Sequence, residues 1–282
     1  MPHDADDRAA GPHAPDPSPT VPRGVPTGTV PVPASVAALA GGQDVEPVWV
    51  NEAGGRTFRL GRERFVKWAP RHVPELDLPA EALRLTWAGR FTPVPEVLDL
   101  GVDDEGSWLV TAAIPARSAV DPMWLARPAE AAAAVGAGLR ALHDALPAGE
   151  CPFAWQVEAR VERALEHLHA GDSPTGWDPV HHHLSAADAR ARLLDAPPVD
   201  RLVVCHADAC APNTLVHDDG RWAAHVDLGR LGVADRWADL AIATWSTTWN
   251  YGPGYERHVL DAYGIEPDDE RTAYYRLLWD AT

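Results

Sequence analysis

The chain has 282 residues, with 24 basic against 41 acidic side chains and a net charge of −17. Such a charge repels nucleic-acid phosphates and anionic membrane surfaces, so neither is expected as a partner, and it favours a cationic small molecule instead. No run of about 18 apolar residues occurs, the start Met1-Pro2-His3-Asp4 lacks the character of a signal peptide, and three cysteines form an odd, sparse set. A cytoplasmic protein with reduced thiols is therefore expected.

Residues 1–33 contain nine of the 27 prolines and almost no large apolar side chains. Such a segment buries too little surface to offset its ordering entropy, and a disordered tail is predicted there. A short helix follows from Ser35 to Ala40. Extended segments come next at Val48–Val50, Thr57–Leu60 and Arg64–Trp68, separated by Gly54, Gly55 and Gly61. A helix is predicted from Pro79 to Arg90, then strands at Val97–Leu100 and Ser107–Ala112 around the turn Asp103-Asp104-Glu105-Gly106. After Ile114-Pro115 the texture changes. Ala129–Ala145 is Ala-rich, with Val135, Leu139, Leu142 and Leu146 at helical spacing, and Val157–His169 and Ser185–Leu194 also read as helices. Short strands then flank Cys205–Asp239, and helices at Arg236–Thr247, Tyr255–Ala262 and Asp268–Trp279 end the sequence. The expected fold class is α+β in two lobes, a β-rich N-terminal lobe (34–113) and a mostly helical C-terminal lobe (114–282). A monomer or weak dimer is expected.

The chemistry concentrates in two short stretches. His206-Ala207-Asp208-Ala209-Cys210-Ala211-Pro212-Asn213 is followed by Val226-Asp227-Leu228-Gly229. Phosphoryl transfer from a nucleotide needs a carboxylate to orient the attacking hydroxyl, and an amide with a second carboxylate to hold Mg²⁺ against the phosphates. The step from Asp208 to Asn213 matches the catalytic-loop spacing of the protein-kinase pattern, and Asp227-Leu228-Gly229 matches its metal-binding Asp-x-Gly. Each fragment alone is weak; together, in order, they are specific. The same chemistry needs a strand lysine on the phosphates and a helix glutamate to hold it. Lys67 is the only lysine in the chain, it falls in the predicted strand Arg64–Trp68, and Glu81 opens the next helix.

With these residues in hand, the sequence resembles the aminoglycoside phosphotransferases, the 3′-phosphotransferases above all. The second motif runs Val226-Asp227-Leu228-Gly229-Arg230-Leu231-Gly232-Val233-Ala234-Asp235-Arg236, and similarity continues through Tyr263-Gly264-Ile265 and Tyr274-Tyr275-Arg276. The resemblance covers about residue 46 to the C-terminus. It implies a protein-kinase-like two-lobed fold and a small-molecule kinase using ATP or GTP with Mg²⁺. By the same resemblance Asp208 is the base, Asn213 and Asp227 hold the metal, and Arg230 lies near the transferring phosphate. Lys67 and Glu81 hold the nucleotide phosphates, Gly54, Gly55, Arg56 and Thr57 cover them, and Ala112 and Ile114 offer backbone groups to the base.

The sequence departs from the family pattern in two places, the second of which bears on the acceptor. Ala207 stands where the family has glycine, a change that costs backbone energy if φ there is positive. Counting without gaps from Asp227, Trp249 (beside Asn250) takes the place of a family acid, and of the family's terminal acids only Asp280, after Trp279, remains. These four residues are the candidate acceptor contacts. The expected acceptor is an aminoglycoside 3′-hydroxyl. A streptomycin-type 3″-hydroxyl, a nucleoside-antibiotic sugar and a nucleotide-binding pseudokinase are the alternatives. Asp239 is expected to brace the catalytic loop, His206 to play a structural part, and the run His181-His182-His183 to lie on the surface.

Overall fold

The computed structural model describes Gly24, Pro26 and residues 28–51, 53–71, 73 and 76–282. The expected tail therefore lies largely outside the described residues. Within it, Gly24 exchanges backbone hydrogen bonds with Val50 at 2.8 and 3.0 Å.

The first lobe comprises α1 (Ala34–Ala40), β1 (Val45–Val50), β2 (Arg56–Leu60), β3 (Arg64–Pro70), α2 (Leu78–Ala88), β4 (Val97–Val102) and β5 (Gly106–Ala112). Its five strands form one antiparallel sheet in the order β1-β2-β3-β5-β4. Alternation along β3 divides the side chains between two cores. Val66 and Trp68 join Val36 and Ala40 of α1, Phe58, Leu60 and Val110 in a small core. Ala69 joins Leu78, Ala82, Leu85 and Leu109 in the main one. Lys67 shares the second parity, so the strand pleat aims the lone lysine at α2. That helix starts where Asp77 accepts from Ala80 N–H at 2.9 Å, with Pro79 in the first turn. Glu81 follows within that turn and is 4% exposed.

The second lobe runs β6 (Arg117–Ser118), α3 (Pro122–Leu125), α4 (Pro128–Ala145), α5 (Val157–Ala170), α6 (Ala186–Leu194), β7 (Leu202–Cys205), β8 (Thr214–Val216), β9 (Trp222–His225), β10 (Gly232–Asp235), α7 (Trp237–Tyr251), α8 (Glu256–Tyr263) and α9 (Asp269–Asp280). Helix α7 is its centre: every residue from Trp237 to Thr247 is buried. Helices α4 and α8 meet closely because Gly136 has no side chain. A Cβ there would lie 2.1 Å from the Val259 carbonyl oxygen. Two small antiparallel sheets, β7 with β10 and β6-β8-β9, present the chemically important loops. One loop leaves β7 at Cys205 and the other leaves β9 at His225. An α+β two-lobed architecture results, as the sequence predicts. Among the described residues no helix is long and apolar enough to cross a membrane.

Candidate active site

A cleft of about 350 Å³ separates the lobes. Gly55 lines it from the turn before β2, Arg56, Thr57 and Lys67 from the sheet, and Glu81 from α2. Asp208, Asp227, Arg230 and Trp279 line it from the second lobe. At its centre Lys67 Nζ lies 2.6 Å from Glu81 Oε1 and 2.8 Å from Asp227 Oδ1. The two acidic partners belong to different lobes, so one ammonium bridges them. Burial alone would lower the Lys67 pKa, but Asp227 and Glu81 beside it hold it above its ordinary value. Burial opposes ionisation of Asp227 as well, and Lys67 reverses this, leaving that carboxyl below the ordinary range. Glu81 goes the other way: burial raises it, and the Lys67 charge does not fully compensate.

The catalytic-loop candidates come together by backbone ties. Asn213 Nδ2 donates to the Asp208 carbonyl at 2.9 Å, which leaves its Oδ1 for a ligand. Val226 N–H donates to the Asn213 carbonyl at 3.0 Å. His206 Nε2–H donates to the Val226 carbonyl at 2.9 Å, and Asp208 N–H donates to its Nδ1 at 3.2 Å. Both nitrogens of His206 thus serve the loop, in the structural part expected of it. Burial and the like charge of Asp227 push the Asp208 pKa up, against the pull of His206 and Arg230. A carboxylate with a raised pKa is a better proton acceptor once ionised.

Asp239 braces this loop from α7. Its Oδ2 accepts from His206 N–H at 2.6 Å and its Oδ1 from Ala207 N–H at 2.8 Å. Ala207 has φ 65°, so the substitution for glycine falls in the left-handed region, where an alanine is strained. Asp227 also has positive φ, at 64°. Cys205, His143 and Asp239 group their ligand atoms closely in the interior. The Asp239 oxygens, however, are already committed to three N–H donors, so this cluster is a brace.

The glycine turn before β2 is built on Asn51. Its Oδ1 accepts from Gly55 N–H at 2.7 Å, and its N–H donates to the Gly55 carbonyl at 3.0 Å. Gly54, at φ 84°, makes the reversal and does not line the cleft, whereas Asn51 does. Ala112 and Ile114 lie outside the cleft walls. The Ala112 N–H donates to Glu96 O, and the Ile114 carbonyl accepts from Ala116 N–H.

Arg230 carries a feature that sequence spacing does not reveal. Its guanidinium carbon lies 5.8 Å from the Trp155 ring centroid and 5.6 Å from that of Trp279. Among the described residues it forms no ion pair. Two indoles therefore flank an exposed guanidinium whose charge acts on Asp208 and Asp227.

The remaining acceptor candidates gather elsewhere. Trp249 is 45% exposed, lies tilted against Trp245 with ring centroids 4.8 Å apart, and donates from Nε1 to Asp178 Oδ2 at 3.3 Å. Asn250 uses its amide within α7, donating to the Ser246 carbonyl and Oγ. Asp280 Oδ2 accepts from Asp178 N–H at 3.1 Å and pairs with His181 Nδ1 at 2.6 Å. His181 is thereby buried, contrary to the surface position expected for the whole histidine run. The turn Pro179–His181 swings it inward, while His182 and His183 stay exposed. This wall touches the catalytic loop through Ser246 Oγ, which accepts from Ala211 N–H at 2.8 Å.

The profile of the phosphotransferase enzyme family matches residues 35–275. An aminoglycoside 3′-phosphotransferase of Streptomyces fradiae is 38% identical over 77% of this chain and 84% of its own. A streptomycin 3″-kinase of Streptomyces griseus is 34% identical over 83% and 90%. Among solved structures, the aminoglycoside phosphotransferase APH(3″)-Id of Streptomyces rimosus superimposes with a TM-score of 0.72 at 28% identity, covering 88% of this chain and 96% of that one. A type VIII aminoglycoside-3′-phosphotransferase gives the same TM-score at 31% identity, over 88% and 97%. With this likeness spanning both lobes and both motifs, the chain belongs to the phosphotransferase enzyme family.

Proposed function

We propose that this phosphotransferase moves the γ-phosphoryl group of ATP to a hydroxyl of an aminoglycoside, foremost the 3′-hydroxyl. The observation that carries the reading is the cleft in which Lys67 bridges Glu81 and Asp227 beside Asp208. A relative of 28% identity has a structure in complex with ADP and streptomycin, which supports a nucleotide donor. Asp208 orients the acceptor hydroxyl and takes its proton as the phosphoryl group leaves the nucleotide. Lys67 draws the donor phosphates into line, and Arg230 faces the charge that develops on the transferring group. Asn213 Oδ1 and the free oxygen of Asp227 are hard donors suited to Mg²⁺, which would neutralise phosphate charge there. The Asn51–Gly55 turn and Arg56 close the cleft from above.

A second acceptor, the 3″-hydroxyl of streptomycin, is favoured by one observation. Where the 3′-enzymes of this family carry acids, this chain presents Trp249, and it commits Asp280 to His181. Coupled nucleotide-turnover assays across an antibiotic panel distinguish the two, with product regiochemistry fixed by mass spectrometry and NMR. Turnover of 2-deoxystreptamine aminoglycosides is expected. Turnover of streptomycin alone would transfer the assignment to the 3″-hydroxyl, and ATP consumption that no antibiotic stimulates would sink both.

A further inference from the structure

We propose that Gly24, Val30 and Pro31, ahead of α1, form a strap that positions the Asn51–Gly55 turn for nucleotide binding, with Arg56 as the positioning residue that fastens it. Strand β1 is an edge of its sheet, with β2 on one side only. On the free side Gly24 pairs with Val50 in the antiparallel sense, and the two exchange hydrogen bonds at 2.8 and 3.0 Å. Val50 is the last residue of β1 and is 2% exposed. Asn51 follows it and closes the turn on Gly55. On the far side of the turn, Arg56 Nη1 donates to the Pro31 carbonyl at 3.1 Å. Val30 packs against the small core of the first lobe. The strap thus grips the residue before the turn and the residue after it. All three of its residues precede residue 35, where the family match begins.

Strand register explains why Arg56 turns to the strap. Arg56 stands directly opposite Trp68 of β3, whereas Thr57 stands opposite Lys67. Alternation therefore sends Thr57 and Lys67 to one face of the sheet and Arg56 to the other, with Trp68 of the small core. There the Arg56 guanidinium lies 5.1 Å from the Trp68 ring centroid while it donates to Pro31. Arg56 borders the cleft, yet the pleat separates the two cations: Lys67 faces the phosphates and Arg56 faces the strap. Gly24 also satisfies backbone groups of Val50 that a bare edge strand would leave open. A turn held at both ends is already ordered when nucleotide enters, so less conformational freedom is lost on binding. Loss of the strap should fall on nucleotide affinity and spare the antibiotic and the chemical step.

The kinetic consequence rests on the phosphotransferase reading, whereas amide hydrogen exchange reads the strap without turnover. Two deletions are compared with the full chain. One removes residues 1–23 and keeps every tie; the other removes residues 1–32, and with them the strap, but leaves α1 whole. The shorter deletion should match wild type. The longer one should raise KM for ATP about three- to tenfold, because three partly solvated hydrogen bonds are lost. In that variant kcat and KM for the antibiotic should stay within about twofold, and amides 51–57 should exchange faster. The decisive measurement places Arg56→Ala in both backgrounds. In the full chain it should raise KM for ATP about threefold. After the longer deletion it should add less than about 1.5-fold, since the strap it fastens is gone. An equal effect in both backgrounds would make Arg56 a direct phosphate contact and overturn the proposal. So would a longer deletion that leaves both amide exchange and KM for ATP unchanged. Should that deletion fail to fold, Gly24→Val in the full chain decides in its place. Gly24 has φ 110° with open space where a Cβ would stand, so a β-branched residue there strains the tie without a clash. Gly24→Val should raise KM for ATP about twofold or more, and an unchanged KM would overturn the proposal. A wild-type chain without turnover would defeat the phosphotransferase reading itself, and the exchange rates of amides 51–57 would then decide the strap alone.

Discussion

Replacing Asp239 by asparagine changes one oxygen to an amino group at nearly constant volume, in the most constrained position of the site. The carboxylate is buried, and three donors reach it: His206 N–H and His143 Nε2 at Oδ2, and Ala207 N–H at Oδ1. Burial would raise its pKa, but His143, His206 and the Ala207 N–H hold it below its ordinary value, so it is ionised throughout any neutral assay. An amide can keep its oxygen on only one side. The less costly orientation retains the two bonds at Oδ2 and turns the amino group towards Ala207 N–H. One bond to a charged acceptor is then lost, worth about 1.5–3 kcal/mol. The two retained bonds fall to neutral strength, about half of what they were. Relief of the buried charge offsets part of this, leaving a net loss of about 2–4 kcal/mol. For a chain of this size each kcal/mol lowers Tm by about 2–4 °C, so Asp239→Asn should melt about 5–15 °C earlier. Turnover measured well below that temperature, where the variant is folded, should also fall, since Ala207 is no longer held. Thermal unfolding and steady-state kinetics on the same preparation supply both numbers. A Tm within about 2 °C of wild type with unchanged kcat would refute the bracing account.

Two further outcomes follow from contacts of the same kind. Trp155→Ala removes one face of the Arg230 clamp; a cation–π contact at an exposed side chain is worth about 0.5–1 kcal/mol, so kcat should fall about two- to fivefold. Trp155→Phe should restore most of it, and unaltered kinetics in a chain that Arg230→Ala disables would show that the clamp is idle. His225 is buried with neither ring nitrogen partnered among the described residues, and burial with the nearby His206 and His143 holds its pKa well below 6.5. Its folded form is therefore neutral, while the unfolded chain gains a proton below the ordinary value, so stability is lost as pH falls. His225→Phe removes that proton uptake, and its stability relative to wild type should rise by about 2 kcal/mol between about pH 7 and about pH 5. Urea unfolding at the two pH values measures the difference, and parallel profiles would contradict it.

What the sequence makes legible here is what lies within one element or one short loop. The pleat of β3 places Lys67, the capped first turn of α2 places Glu81, and the five-residue step from Asp208 to Asn213 is short enough that spacing dictates proximity. Pairings between distant segments obey no local period, and these are the ones that spacing misses. His143 is 96 residues from Asp239 and 120 from Tyr263. Trp155 and Arg230 come from different parts of the second lobe.

Ala207 shows a second kind of blindness. Its Cβ argues for ordinary backbone, and only a carboxylate 32 residues away reverses that preference. Asp280 shows a third. Its position matches a family acid, so sequence offers it to a cationic acceptor. The inward turn of His181, 99 residues earlier, takes up that carboxylate first. A buried histidine–carboxylate pair opens only by leaving both groups unpaired, and breaking such a pair costs more than an exposed amine would return. Asp178 is the acid left at the edge of that wall, with its Oδ2 already turned towards the Trp249 indole. An acceptor docking against that wall, as we propose, would meet one indole and one carboxylate together, a smaller and more oriented charge than the chain's net −17 would suggest.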